Sequence, residues 1–176
     1  EAALVALGGE IPEGVGWRVS MRNRIPLQRG LGSSAAATVA GIVAGNALAD
    51  GSMSSAEMLR MAAAIEGHPD NVGAALLGGF VVSAAIDDGV EAVRFDVPRD
   101  LRCVLFVPEL RLSTREMRRA LPKSIPFGDA TENLSRVALG VAGMAGRRTD
   151  LLRFLTVDRI HEPYRSRVYP QLPRLV

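Results

Sequence analysis

The chain has 176 residues, 48% of them hydrophobic and only 5% aromatic, so it can bury a sizeable core built mainly from Ala, Val, Leu and Ile. Its formal charge is +2, and all but one of its 21 basic residues are arginines, Lys123 being the exception. An excess this small and dispersed, without aromatic residues interleaved among the arginines, argues against nucleic acid as a partner, and no membrane-length apolar segment is present.

The first residues, EAALVALGG, resemble the tail of a helix stopped by Gly8 and Gly9. Residues 15–20 alternate as a strand does, with Trp17 in the core or lining a site, and an extended stretch then reaches Pro26. The segment QRGLGSS opens a small-residue helix over residues 33–48. Ser54 and Glu57 have the spacing of a capping box, in which each side chain meets the other residue's backbone amide, and they start a second helix ending near Glu66.

Gly67 and Pro69 break EGHPDN out of that helix. A short helix over residues 71–77 follows, closed by Gly78 and Gly79, then a strand over 80–85 and a DDG turn at 87–89 into EAVRFDV. Residues 98–100 are the expected boundary between two domains, 1–99 and 100–176. Beyond it, 101–107 reads as a buried strand, and Ser113 with Glu116 as a further capping box for a helix ending at Leu121. Helices are expected again at 131–143 and 149–158, and the last residues, QLPRLV, read as a cut end. The lone cysteine, Cys103, sits in the apolar run LRCVLFV and is expected to pack rather than react; one cysteine and no signal-peptide pattern make a reducing cytoplasm the expected compartment.

Two segments carry chemistry. Gly30 and Gly32 tolerate positive φ and close approach, so they can set successive amides side by side. If Ser33 and Ser34 begin the helix, their free N–H groups and hydroxyls face one space, where the helix dipole favours an anion. The spelling rules out the Walker loop, because no lysine follows Gly32, and the dinucleotide loop, because position 35 is Ala. GLGSS by itself fits a plain helix start as well as an anion site.

In EGHPDN, Glu66 and Asp70 supply the hard oxygens that Mg²⁺ prefers, and a carboxylate near phosphates makes phosphoryl transfer chemically sensible. Glu66 also fits a solvated helix end, His68 a surface loop residue, and Asp70 or Asn71 a cap on the following helix. A metal site built on His68 is disfavoured, since His161 is the only other histidine and no cysteine cluster exists.

IPLQRGLGSSAA, EGHPDNVGAALLGGF, LSTREMRRALP and RIHEPYR together resemble the homoserine kinases of the GHMP kinase superfamily, over practically the whole chain. The resemblance implies a two-domain α+β fold: an N-terminal ATP-binding domain with a left-handed β-α-β unit, then a ferredoxin-like domain. It implies ATP and Mg²⁺ as cofactors, L-homoserine as the small-molecule partner, and transfer of the γ-phosphate to the homoserine hydroxyl; it allows a homodimer. Pro26, Arg29, Gly30, Leu31, Gly32, Ser33, Ser34, Ala35 and Ala36 would surround the nucleotide, with Ser34 and Glu66 near the metal.

By the same resemblance His68, Asp70 and Asn71 lie beside homoserine. Asp70 stands where related mevalonate kinases have a base, Asn71 orients the hydroxyl, and direct attack without a base stays open. Arg118 and Arg165 are the expected receivers of the homoserine carboxylate, for which a guanidinium fork is suited; read without the family, both fit solvated surface arginines. The family's PxxxxNLGxGFD-like and GxGP-like segments do not occur, so an internal fragment is expected. Another small-molecule GHMP kinase, or a nonenzymatic binding module that keeps the glycine loop, are the alternatives.

Overall fold

Small side chains let the first helix pack closely, and its buried positions trace one face. A computed structural model describes residues 18–87, 89–105, 107 and 114–168. Helix α1 (Ser33–Leu48) buries Ala35, Val39, Ile42, Gly45 and Asn46. Helix α2 (Ser55–Glu66) buries Leu59, Ala62 and Ala63, and α3 (Asp70–Leu77) buries Val72 and Gly73. These apolar residues form one core cluster, with Met58, Met61, Leu76, Val90 and Ala92 packed at its edge. Each large side chain such as Ile42 contributes roughly 1.5–3 kcal/mol by leaving water.

The expected capping box is present: Ser54 Oγ accepts the Glu57 N–H at 3.3 Å and Glu57 Oε2 accepts the Ser54 N–H at 2.7 Å. The connection between α1 and α2 is held by Asn46, a buried polar side chain whose Oδ1 accepts the Met53 N–H at 3.0 Å. Burial of an amide requires such a partner.

Strands β1 (Phe80–Ile86) and β2 (Gly89–Phe95) form an antiparallel hairpin in which Val82 pairs with Val93 and Ser83 with Ala92. Helix α3 lies close on β1 because Gly73 has no side chain; a Cβ there would sit 3.2 Å from Val81 Cγ1 and 3.3 Å from Ser83 Oγ. Ser83 Oγ donates to the Pro69 carbonyl at 3.0 Å, tying the hairpin to the start of α3. The strand expected at 15–20 is not formed at residues 18–20, and its remaining residues, like the helix end expected at 2–7, lie outside the described residues. The left-handed crossover that would use that strand is therefore also outside them.

The chain divides into two compact units, Glu1–Asp96 and Val97–Val176. In the second, helix α4 (Thr114–Arg119) precedes α5 (Phe127–Ala145), a 3₁₀ helix (Thr149–Thr156) and the short α6 (Glu162–Arg165). The 3₁₀ helix packs on α5 at Gly140 and Gly143; a Cβ on Gly143 would sit 2.6 Å from Leu151 Cβ, and one on Gly140 would overlap Leu155. Helix α5 starts four residues before the expected position, with Pro126 at the N-cap and Asp129 in its first turn. Both suit a helix start, through a preset φ and a favourable charge against the dipole.

The strand expected at 101–107 is not formed among the described residues. Leu101, Val104, Leu105 and Val107 are exposed, and the only described ladder is β1–β2. An apolar run cannot become a strand without a neighbour to satisfy its backbone N–H and C=O groups. The capping box expected at Ser113 and Glu116 lies outside the described residues. Among the described residues no helix is long and apolar enough to cross a membrane.

Candidate functional site

Three residues ahead of α1, Gln28, Gly30 and Gly32, have positive φ, at 58°, 71° and 70°. Gly32 is the N-cap and brings no side chain to the free amides, and the first helical bond is Ala36 N–H to Gly32 C=O at 2.9 Å. The N–H groups of Ser33, Ser34 and Ala35 thus have no acceptor among the described residues. Ala35 is buried in the core and anchors the turn, whereas Ser34 is exposed. Unspent amides at the positive end of a 16-residue helix form a seat for an anion.

That seat opens beside the carboxylate that the sequence singles out. Ser34 Oγ donates to Glu66 Oε1 at 2.9 Å, and Thr38 Oγ1 donates to the same oxygen at 2.7 Å. Glu66 is the last residue of α2, and Gly67 at φ 79° turns the chain away from the helix axis. Thr38 is absent from the residues expected at the site; its one available signal is its position one turn after Ser34, on the same helix face.

The HPDN turn supplies the next group of side chains. Asp70 Oδ1 accepts from His68 Nδ1 at 2.5 Å and from the Asn71 N–H at 2.6 Å. A carboxylate only accepts, so His68 carries its proton on Nδ1. Pro69, not Asp70 or Asn71, occupies the N-cap position of α3, and no side chain caps it. Asn71 instead lies over the glycine loop: a Cβ on Gly32 would be 3.3 Å from Asn71 Oδ1. Side chains from three helices, Ser34, Glu66 and Asn71, therefore gather around Gly32 and the start of α1.

Pro26 and Arg29 belong to the turn before Gly30, Pro26 exposed and Arg29 half-buried. Arg118 is exposed on α4 in the second unit. Arg165, at the end of α6, is half-buried; its Nε is fully buried and has no hydrogen-bond partner among the described residues. The turn that carries Arg165 is pinned by residues the sequence did not single out. Asp158 Oδ1 accepts the N–H groups of Ile160 and His161 at 2.6 and 3.0 Å, and Asp158 Oδ2 accepts from His161 Nδ1 at 3.0 Å. From α5, Asn133 Oδ1 accepts the Arg159 N–H at 2.8 Å, and Glu132 pairs with Arg159 Nε at 2.8 Å. Burial works to raise the Asp158 carboxyl pKa, but the amides of His161 and Ile160 outweigh it and hold the group below its ordinary value.

Residues 2–79 match the family of GHMP kinases N terminal domain. That segment is a GHMP kinase N-terminal domain. Among the chain's relatives, the homoserine kinase of Caldicellulosiruptor saccharolyticus is 42% identical over 167 residues, covering 92% of this chain and 54% of that protein. The homoserine kinase of Symbiobacterium thermophilum is 49% identical over 155 residues, 83% of this chain and 48% of that protein. The crystal structure of homoserine kinase from Cytophaga hutchinsonii superimposes with a TM-score of 0.73 at 31% identity, over 87% of this chain and 50% of that one. The chain spans about half the length of the curated relatives it matches. Its fold is accordingly the mixed α and β fold of the GHMP kinases, with the glycine loop and α1 inside the matched segment.

Proposed function

We propose that the protein is a homoserine kinase, a cytoplasmic enzyme that moves the γ-phosphoryl group of ATP to the side-chain hydroxyl of L-homoserine and so makes O-phospho-L-homoserine for threonine biosynthesis. The observation that carries this reading is the Ser34 to Glu66 hydrogen bond, which joins the anion seat of α1 to a carboxylate 32 residues away. The relatives at 42% and 49% identity are named homoserine kinases, which supports homoserine as the substrate.

The amides of Ser33, Ser34 and Ala35 bind phosphate oxygens, where preorganised donors need no reorientation as charge develops. Ser34 Oγ and the Glu66 carboxylate are the groups that would hold Mg²⁺, which when bound offsets charge on the β- and γ-phosphates. One hydroxyl and one carboxylate suit a cation that keeps water and shares phosphate ligands. Among the described residues no cluster of three acidic, cysteine or histidine groups stands ready to cage a metal.

Asn71 orients the homoserine hydroxyl. Its oxygen attacks the γ-phosphorus; that O–P bond forms as the bond from the γ-phosphorus to the bridging oxygen breaks, and ADP leaves. The hydroxyl proton passes to Asp70 Oδ2, the oxygen that no described residue bonds while Oδ1 takes His68 and Asn71. The buried, unpartnered Nε of Arg165 supports its reading as a carboxylate receiver, since a buried donor without an acceptor is costly and a substrate carboxylate would satisfy it. Arg118 is its companion in this reading.

The test is turnover of Mg-ATP by the full-length protein with homoserine, mevalonate and several sugars as acceptors. Homoserine alone should support ADP release, and Glu66→Gln should lower that rate by about a hundredfold or more. Turnover with a sugar or mevalonate in place of homoserine, or an unaffected Glu66→Gln variant, would overturn the assignment.

A further inference from the structure

Two hydroxyls converge on one oxygen of Glu66. Ser34 and Thr38 stand one turn apart on α1, and both donate to Oε1, at 2.9 and 2.7 Å. No described residue bonds Oε2. Glu66 needs holding, because it is the last residue of α2 and its negative charge lies at the negative end of that helix's dipole.

The two donors are not equivalent. A threonine inside a helix can return its hydroxyl proton to the carbonyl four residues earlier, yet the Thr38 hydroxyl reaches across to Glu66 instead. Branching at Cβ restricts χ1, so this donor is largely preset. Ser34 sits in the first turn, exposed beside the free amides, and its oxygen is the one that the proposed function assigns to the metal. Thr38 is half-buried one turn deeper and lies outside the amide seat.

We propose that Thr38 is a positioning residue for Glu66: its hydroxyl holds Oε1 and thereby leaves Oε2 as the oxygen available to a divalent cation. The inference rests on the metal-site reading of Ser34 and Glu66 given above. When Ser34 Oγ serves a cation, Thr38 is the donor that still fixes the carboxylate, in the way that outer partners orient the ligands of metal sites generally.

The experiment is Mn²⁺ binding by the full-length protein with a non-hydrolysable ATP analogue, followed by electron paramagnetic resonance. Thr38→Val, which keeps the shape and removes the donor, should raise the Mn²⁺ dissociation constant by about ten- to a hundredfold, and Thr38→Ser should restore it. The Mg²⁺ concentration for half-maximal turnover should rise in parallel while the KM for homoserine stays unchanged. If the Val variant does not fold, Thr38→Ala is read the same way. Weakened Mn²⁺ binding in Glu66→Gln but not in Thr38→Val would overturn this inference alone. Unchanged binding in both would overturn the metal-site reading, and this inference with it.

Discussion

Asp70 gives one oxygen to structure and, in the proposed mechanism, the other to proton transfer. Oδ1 is occupied by His68 and by the Asn71 amide at 2.5 and 2.6 Å, which fixes the carboxylate plane, while the residue itself stays exposed. Asp70→Asn can keep the Oδ1 contacts but places a weakly basic amide where Oδ2 stood. With Asp70 as proton acceptor, turnover should fall by about 10²–10⁴-fold, with the KM for ATP unchanged. A variant within threefold of the parent would mean that the proton leaves by another route. Gly32 shows the same economy at one position, since its φ of 70° turns the loop and its missing Cβ leaves Asn71 room to lie against it.

Helix α6 depends on contacts that come from elsewhere. A four-residue helix cannot hold itself, because nucleation costs more than its few bonds return. Asp158 supplies acceptors for Ile160 and His161 ahead of it, and Asn133 and Glu132 tie Arg159 to α5. The Asp158 carboxyl has a lowered pKa in the fold, so its contribution is present above the ordinary carboxylate range and is lost as pH falls through the lowered value. Asp158→Ala should therefore cost about 1 kcal/mol near neutral pH, as expected for exchanged hydrogen bonds of a partly exposed group. That deficit should shrink on acidification. Thermal unfolding at several pH values checks this, and a deficit independent of pH would count against the carboxylate as its source.

At the scale of the whole molecule, the first unit rests on a small core. Ile42 and Val72 are its largest fully buried side chains, and alanines supply much of the remainder. Alanine cores leave little slack, so Ile42→Ala should cost about 2–5 kcal/mol in urea unfolding of helices α1–α3. A loss below about 1 kcal/mol would show that the neighbours collapse into the space. The anion seat should weaken together with stability, because Ala35 belongs both to the core and to the first turn of α1.

Much of this arrangement is legible in the chain itself, where the causes are local. Gly32 before a serine and alanine run starts α1, Ser54 with Glu57 starts α2, and Gly78 with Gly79 ends α3. Each signal acts through neighbours a few residues away, so spacing alone determines the element. Family membership is legible for the same reason, as GLGSSAA and EGHPDN are short and contiguous. Tertiary structure alone decided that Thr38 meets Glu66 across 28 residues and that Asn133 holds Arg159 across 26. It also decided that residues 101–105 remain exposed without a strand. Those outcomes depend on which backbone or side chain arrives from a distance to satisfy a donor or a carbonyl, and periodicity and spacing within one segment carry no record of that arrival.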